Sequence, residues 1–164
     1  MSQSVILEEL KKTGIVQLQI QESLYLLLDA SKSKKFNPSE LSYVPSNTDR
    51  MIIIDQASKM ESYVAELNPM VYDLLEFSEK ELLIELPNVI GISEDLIPAD
   101  GCVLFRILSQ GFLNSILRKH RAALMLVELQ TACPLPVFSI VESLNTDYSI
   151  IHLEANGLIK IIRS

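Results

Sequence analysis

A single α/β domain, with helices packed on a twisted mixed parallel and antiparallel sheet, is the fold class this sequence predicts, on three observations. Short apolar runs with strand character alternate along the chain with segments of helical spacing. At 164 residues and 48% hydrophobic content, the chain buries a proper core without metals or disulfides. No internal repeat breaks the alternation, so residues 1–164 are read as one domain.

Residues 5–12 set apolar Val5, Ile6, Leu7 and Leu10 against Glu8, Glu9 and a basic end at Lys11 and Lys12, an amphipathic helix that Gly14 stops. Residues 15–20 alternate Ile15, Val16, Leu18 and Ile20 with Gln17 and Gln19, which predicts a strand with one buried face. The denser run at 24–28 predicts a more deeply buried strand. Residues 31–50 are rich in Ser, Lys, Asn and Pro and form the main loop.

A short strand follows at 51–54, and Met60, Tyr63, Val64 and Leu67 give residues 58–67 helical spacing. Asn68-Pro69 is a cap and first-turn pair that opens a helix running to about Phe77. Strands are expected at 82–86, 102–107 and 124–129, with a helix between the last two capped by Ser109. Pro134 and Pro136 interrupt the chain. Strands at 149–153 and 158–162 close it as a hairpin around Asn156-Gly157.

The apolar runs fall far short of the roughly 20 residues of a membrane-spanning helix. The N-terminus carries no export signal, so a cytoplasmic protein with no membrane partner is expected. The net charge of −7 argues against general binding to a phosphate backbone, and leaves only local nucleic-acid contacts. Cys102 and Cys133 are too few and too isolated for a zinc site and read as reduced, packed thiols.

The order helix, strand, Asp29-Ala30, basic loop, apolar strand, two helices, strand ending in Leu86-Pro87, strand with Arg106, helix and strand resembles the Sua5/YciO/YrdC family. Ile15-Val16 and Asp29-Ala30 stand at the edges of its first motif, Ile-Val-x-x-Pro-Thr-x-Thr-x-Tyr-Gly-Leu-x-x-Asp-Ala, and Asn68-Pro69 also matches a family habit. The resemblance covers nearly the whole chain. It implies a twisted, YrdC-like α/β fold with a concave basic surface; active members make threonylcarbamoyl-adenylate from threonine, bicarbonate and ATP for tRNA modification.

The motifs themselves are eroded. Gln19-Ile20-Gln21-Glu22, or Ile20-Gln21-Glu22-Ser23 if Tyr25 aligns with the family tyrosine, stands where Pro-Thr-x-Thr is expected. Leu26 and Leu28 or their neighbours replace glycines that let a ligand approach the backbone. The Pro-Gly-Pro-x-Thr segment corresponds to residues 78–82, and Glu128 falls in the Ser-x-Ala-Asn segment, putting a negative charge where a triphosphate is expected.

The cations of the family's Lys-x-Arg-Pro-x-x-Lys segment are represented by Lys32, Lys34 or Lys35, and Arg50, and Arg106 matches a family strand position. These five are the candidate nucleotide- or RNA-binding residues, because Lys offers a point charge and Arg a fork to oxyanions. The plain alternative for the loop cations is solvation. For Arg106, in an apolar strand, the partner must be a carboxylate, a ligand or solvent. His120 reads as a helix-end residue, and His152 has no Ser, Cys or acid spaced for a triad or metal cluster, so no catalytic residue and no metal is expected. The implied function is a divergent nucleotide- or RNA-binding domain linked to tRNA modification or translation, without synthase activity and with ATP as the one cofactor to consider. An active synthase using Arg50 and Arg106 on phosphates and Lys34 on a carboxylate is one alternative. A non-catalytic domain for a protein partner, its cleft filled by Tyr25 and residues 26–28, is the other.

Overall fold

The computed structural model describes residues 2–31, 38–46 and 48–164. Helix α1 (Gln3–Thr13) begins at Ser2, whose hydroxyl accepts from the Ser4 N–H, and ends where Gly14 adopts φ 77° and returns its N–H to the Leu10 carbonyl. Strands β1 (Ile15–Ile20) and β2 (Ser23–Asp29) form an antiparallel hairpin. After the loop come β3 (Arg50–Ile54), helix α2 (Met70–Phe77), β4 (Leu82–Leu86) and β5 (Val103–Ile107). Helix α3 (Phe112–His120), β6 (Leu124–Leu129), β7 (Val137–Ile140), β8 (Ser149–Leu153) and β9 (Ile159–Arg163) complete the chain.

Among the described residues nine strands make one sheet in the order β7-β1-β2-β6-β3-β5-β4-β8-β9. The pairs β1–β7, β3–β5 and β4–β8 are parallel and the other neighbours antiparallel, which is the mixed sheet the sequence predicts. One face carries Ile6 and Leu10 of α1 and Leu113 and Ile116 of α3 against Val16, Leu27, Met51, Ile53 and Leu126. The other packs Met60, Val64, Val71 of α2 and Leu96 against Leu26, Ile52, Phe105 and Val127. The central strands are therefore covered on both faces, which is why 24–28 and 51–54 read as unbroken apolar runs.

Four expectations need correction. Gln17 does not face solvent: it is 0% exposed, its amide donating to the carbonyls of Cys133 (3.0 Å) and Leu135 (2.9 Å) while its oxygen accepts from the Cys133 N–H. Those bonds hold the chain on its way into β7, a strand the prolines concealed. The spacing at 58–67 forms no α-helix; a 3-10 turn at Ala57–Ser62 buries Met60, and Val64 then bridges to Val89. Ser109 does not cap α3. Gly111 precedes the helix at φ 102°, and the Glu142 carboxylate accepts the Leu113 N–H at 2.8 Å. Asn68, by contrast, does cap α2, its side-chain oxygen accepting from the Met70 N–H at 2.9 Å.

Candidate functional site

Tyr25 and Glu128, the positions the resemblance aligns with the family tyrosine and the Ser-x-Ala-Asn segment, are directly opposed across β2 and β6. With Met51, Arg106, Asp49 and Tyr148 they line a recess of only about 40 Å³, room for about one water. Tyr25 is buried, and that burial, followed by the Glu128 charge, raises its pKa above the ordinary phenol value. The phenol can donate to an oxyanion, but the Glu128 carboxylate beside it opposes a phosphate by like charge.

Arg106 meets the first of the three partners left open to it. Its Nε donates to Glu81 Oε2 at 2.8 Å and its Nη2 to Glu81 Oε1 at 2.9 Å, a bidentate fork. Nη2 also donates to the Asn145 carbonyl at 2.6 Å, and Nη1 has the Met51 thioether at 3.7 Å. The guanidinium lies 5.1 Å from the Tyr148 ring centroid, and Arg163 approaches the same ring at 5.3 Å. Tyr148 donates to Asp49, which also accepts from Arg163 at 3.0 Å. Burial, reinforced by the hydrogen bond and charge of Asp49, pushes the Tyr148 hydroxyl up to about 12. Arg106, 3% exposed, is thus the centre of a closed polar network.

Arg50 lies elsewhere. Alternation along β3 puts it on the face of Ile52 and Ile54, whereas Arg106 shares the opposite face with Met51 and Ile53. Arg50 lines an adjoining open cleft of about 390 Å³ with Glu85, Asp100 and Cys102, and Thr48 and Asp49 border both this cleft and the recess. Three carboxylates there face one guanidinium, so the cleft favours cations over anions. A third space, about 460 Å³ and open, lies beyond Arg106 with Glu81 and Glu142 on its wall. Tyr25 lines the small recess, but Leu26, Leu27 and Leu28 lie in the core, and open spaces of about 390 and 460 Å³ stand beside Arg50 and Arg106, so the cleft is not filled as the sequence reading expected. Lys32, Lys34 and Lys35 lie outside the described residues.

The histidines divide. His120 ends α3 as expected, its Nε2 3.1 Å from Asp29 Oδ2. His152, read from the sequence as isolated, is held between Glu85 (Nδ1 to Oε1, 2.9 Å) and Glu154 (Nε2 to Oε1, 2.8 Å). Burial pulls its pKa down, but the bonds to Glu154 and Glu85 outweigh this and the net shift is upward. The Cys102 thiol is pushed up to about 11, first by burial and then by the charges of Asp100, Glu85 and Glu154, so it is no nucleophile at neutral pH. Glu81, Tyr148 and Asp49 are the site residues the sequence reading missed. The signal for Glu81 was there: a cation in an apolar strand demands an acid, and Glu81 directly precedes the strand beside it.

No protein-family model and no curated protein matches this sequence. Among solved structures, E. coli YciO superposes over 99% of this chain and 90% of its own, at TM-score 0.72 and 13% identity. This chain has the YciO fold. P. abyssi Sua5 complexed with L-threonine shares the YciO fold with it at TM-score 0.68 and 9% identity, over 92% of this chain and 50% of Sua5, so the chain spans about half the length of that protein. Full-length HypF in a phosphate- and nucleotide-bound form aligns at TM-score 0.50 and 14% identity, over 98% of this chain and 28% of HypF. Identities this low establish the YciO fold; the chemistry of the site has to come from the residues. Among the described residues no helix is long and apolar enough to cross a membrane.

Proposed function

We propose that this chain is a cytoplasmic binding domain of the YciO and Sua5 fold that makes no threonylcarbamoyl-adenylate, and that it meets a nucleotide or an RNA such as tRNA through Lys32, Lys34 and Lys35, the acidic lining around Arg50 setting that cation apart. The single observation that carries the loss of synthesis is the recess of about 40 Å³ between Tyr25, Glu128 and Arg106. An adenylate needs several hundred cubic ångströms, and the cation beside this recess is already held by Glu81. An active synthase with Arg106 on a phosphate would have to break a two-point ion pair and leave Glu81 behind it, which opposes binding. Support for a polyanion ligand comes from the nucleotide-bound state of HypF and from the cluster of lysines in the main loop.

Pure protein incubated with ATP, threonine and bicarbonate should release no pyrophosphate above a threonine-free control. It should bind tRNA with a steep salt dependence that a Lys32→Ala/Lys34→Ala/Lys35→Ala variant loses. Threonine-dependent pyrophosphate release would overturn the first half, and unchanged tRNA affinity in the triple variant the second.

A protein partner is the reading favoured by a different observation. The edge strand β9 is exposed along its whole length, with Ile161 69% and Ile162 46% accessible, and Leu158 just before it 65%. Apolar exposure of this kind on an unpaired sheet edge is the geometry of strand addition. If tRNA binding is absent, this edge becomes the working surface.

A further inference from the structure

Three potential metal ligands with no place in the reading above stand together beside the Arg50 cleft, whose wall includes two of them, Glu85 and Cys102. Glu85 on β4, Cys102 at the entry to β5 and His152 on β8 come from neighbouring positions in the sheet, and their ligand atoms all lie within 4.8 Å of one another. Tetrahedral zinc, with bonds of roughly 2.0–2.3 Å, holds its ligand atoms about 3.3–3.7 Å apart. The register fixes two of the three, since Glu85 and His152 are paired directly across the parallel β4–β8 ladder. All three are partly buried, and Glu85 and Cys102 open onto the cleft.

We propose that Glu85, Cys102 and His152 form a zinc site, with Nδ1 of His152, Sγ of Cys102 and a carboxylate oxygen of Glu85 as ligands and the fourth position open to the cleft. The donor set decides the metal. One sulfur, one imidazole and one carboxylate suit zinc, while magnesium and calcium take oxygen alone. Glu154 completes the arrangement: its Oε1 lies 2.8 Å from His152 Nε2, which leaves Nδ1 facing Glu85 and the metal position. A carboxylate behind a ligating imidazole orients the ring and raises its basicity. The cleft adds to the field through Asp100, while Asp49 is already paired with Arg163. Coordination takes Cys102 as the thiolate, its proton leaving to solvent, and involves no change of oxidation state.

This site is independent of nucleotide or RNA binding, and its test is separate. The full chain, stripped with a chelator, is titrated with cobalt(II) as a spectroscopic substitute for zinc. One equivalent should bind with a thiolate-to-cobalt charge-transfer band, zinc should displace it, and zinc should raise the melting temperature. The band should vanish in Cys102→Ser and persist in Cys133→Ser, and Glu154→Gln, which removes no ligand, should weaken zinc binding by roughly 10–100-fold. Absence of the band in the stripped wild-type chain, or its survival in Cys102→Ser, would overturn the proposal. Circular dichroism of each variant separates lost binding from lost folding.

Discussion

Arg106 and Glu81 are joined by two parallel hydrogen bonds of 2.8 and 2.9 Å, with the guanidinium buried and the carboxylate at its outer edge. The pair ties β5 to the start of β4 and, through the Asn145 carbonyl, to the segment before β8. Removing Glu81 leaves the buried Arg106 guanidinium without its counter-charge. Glu81→Ala should therefore lower the unfolding free energy by about 3–5 kcal/mol in urea denaturation. Arg106→Leu combined with Glu81→Leu should cost less than either single change, a result that a ligand-binding role for Arg106 does not predict.

Gln17 supports a second prediction. Its buried side chain makes three hydrogen bonds to the partly exposed backbone at 133 and 135. Gln17→Ala strands those groups and should destabilise by on the order of 2–4 kcal/mol. Amide hydrogen exchange should show the loss concentrated in β7, which these bonds deliver to β1.

Gly111 is held by geometry rather than by chemistry. Its φ of 102° disfavours any side chain, and an added Cβ would lie 2.4 Å from the Glu142 carboxylate that holds the Leu113 N–H. Gly111→Ala should cost about 2 kcal/mol or more. Glu142→Ala should cost about 1 kcal/mol through the lost helix-end bond. The double variant should be more stable than the sum of the two, since the clash disappears with the carboxylate.

Asp29 sets part of the acid limb. Burial alone would raise its pKa, but hydrogen bonds from His120 and Ser31 outweigh this and hold it below the ordinary 3.8. A carboxyl depressed in the folded state contributes stability above its unfolded pKa and loses it as the pH falls through the folded value. Wild type should thus exceed Asp29→Asn in stability near neutrality, and the gap should close progressively below about pH 4. A gap constant between pH 7 and pH 2.5 would show that the carboxylate charge contributes nothing.

The sequence was informative wherever local pattern and final environment agree. The β1–β2 hairpin, the Asn68 cap and the run at 124–129 carry their own instructions, and each lies where periodicity puts it. Val137–Ile140 does not: four residues after a proline become a strand because β1 offers them a parallel partner and Gln17 fixes the approach. Residues 58–67 err the other way. Met60 and Val64 are both buried, as helical spacing implies, but a tight turn and a bridge to Val89 achieve it.

For the site, the need of Arg106 for a partner was legible, and so was the conflict at Glu128. The grouping of Glu85, Cys102 and His152 was not, because only the parallel pairing of β4 with β8 brings such distant residues together. Linear spacing finds metal ligands when one loop or one helix carries them; it is blind to ligands supplied by separate strands.

The strand order has one more consequence, in time rather than in space. β1 pairs with β7, so Gln17 waits for Val137, and β4 pairs with β8, so Leu82 waits for Ser149. Closing such long loops must precede the contacts that reward it, which slows the search for the native state. During synthesis the amino-terminal hairpin leaves the ribosome with both margins unsatisfied, one awaiting β6 and the other β7, and stays in that condition for most of translation. Chaperone dependence and aggregation should accordingly track the elongation rate through the last third of the chain.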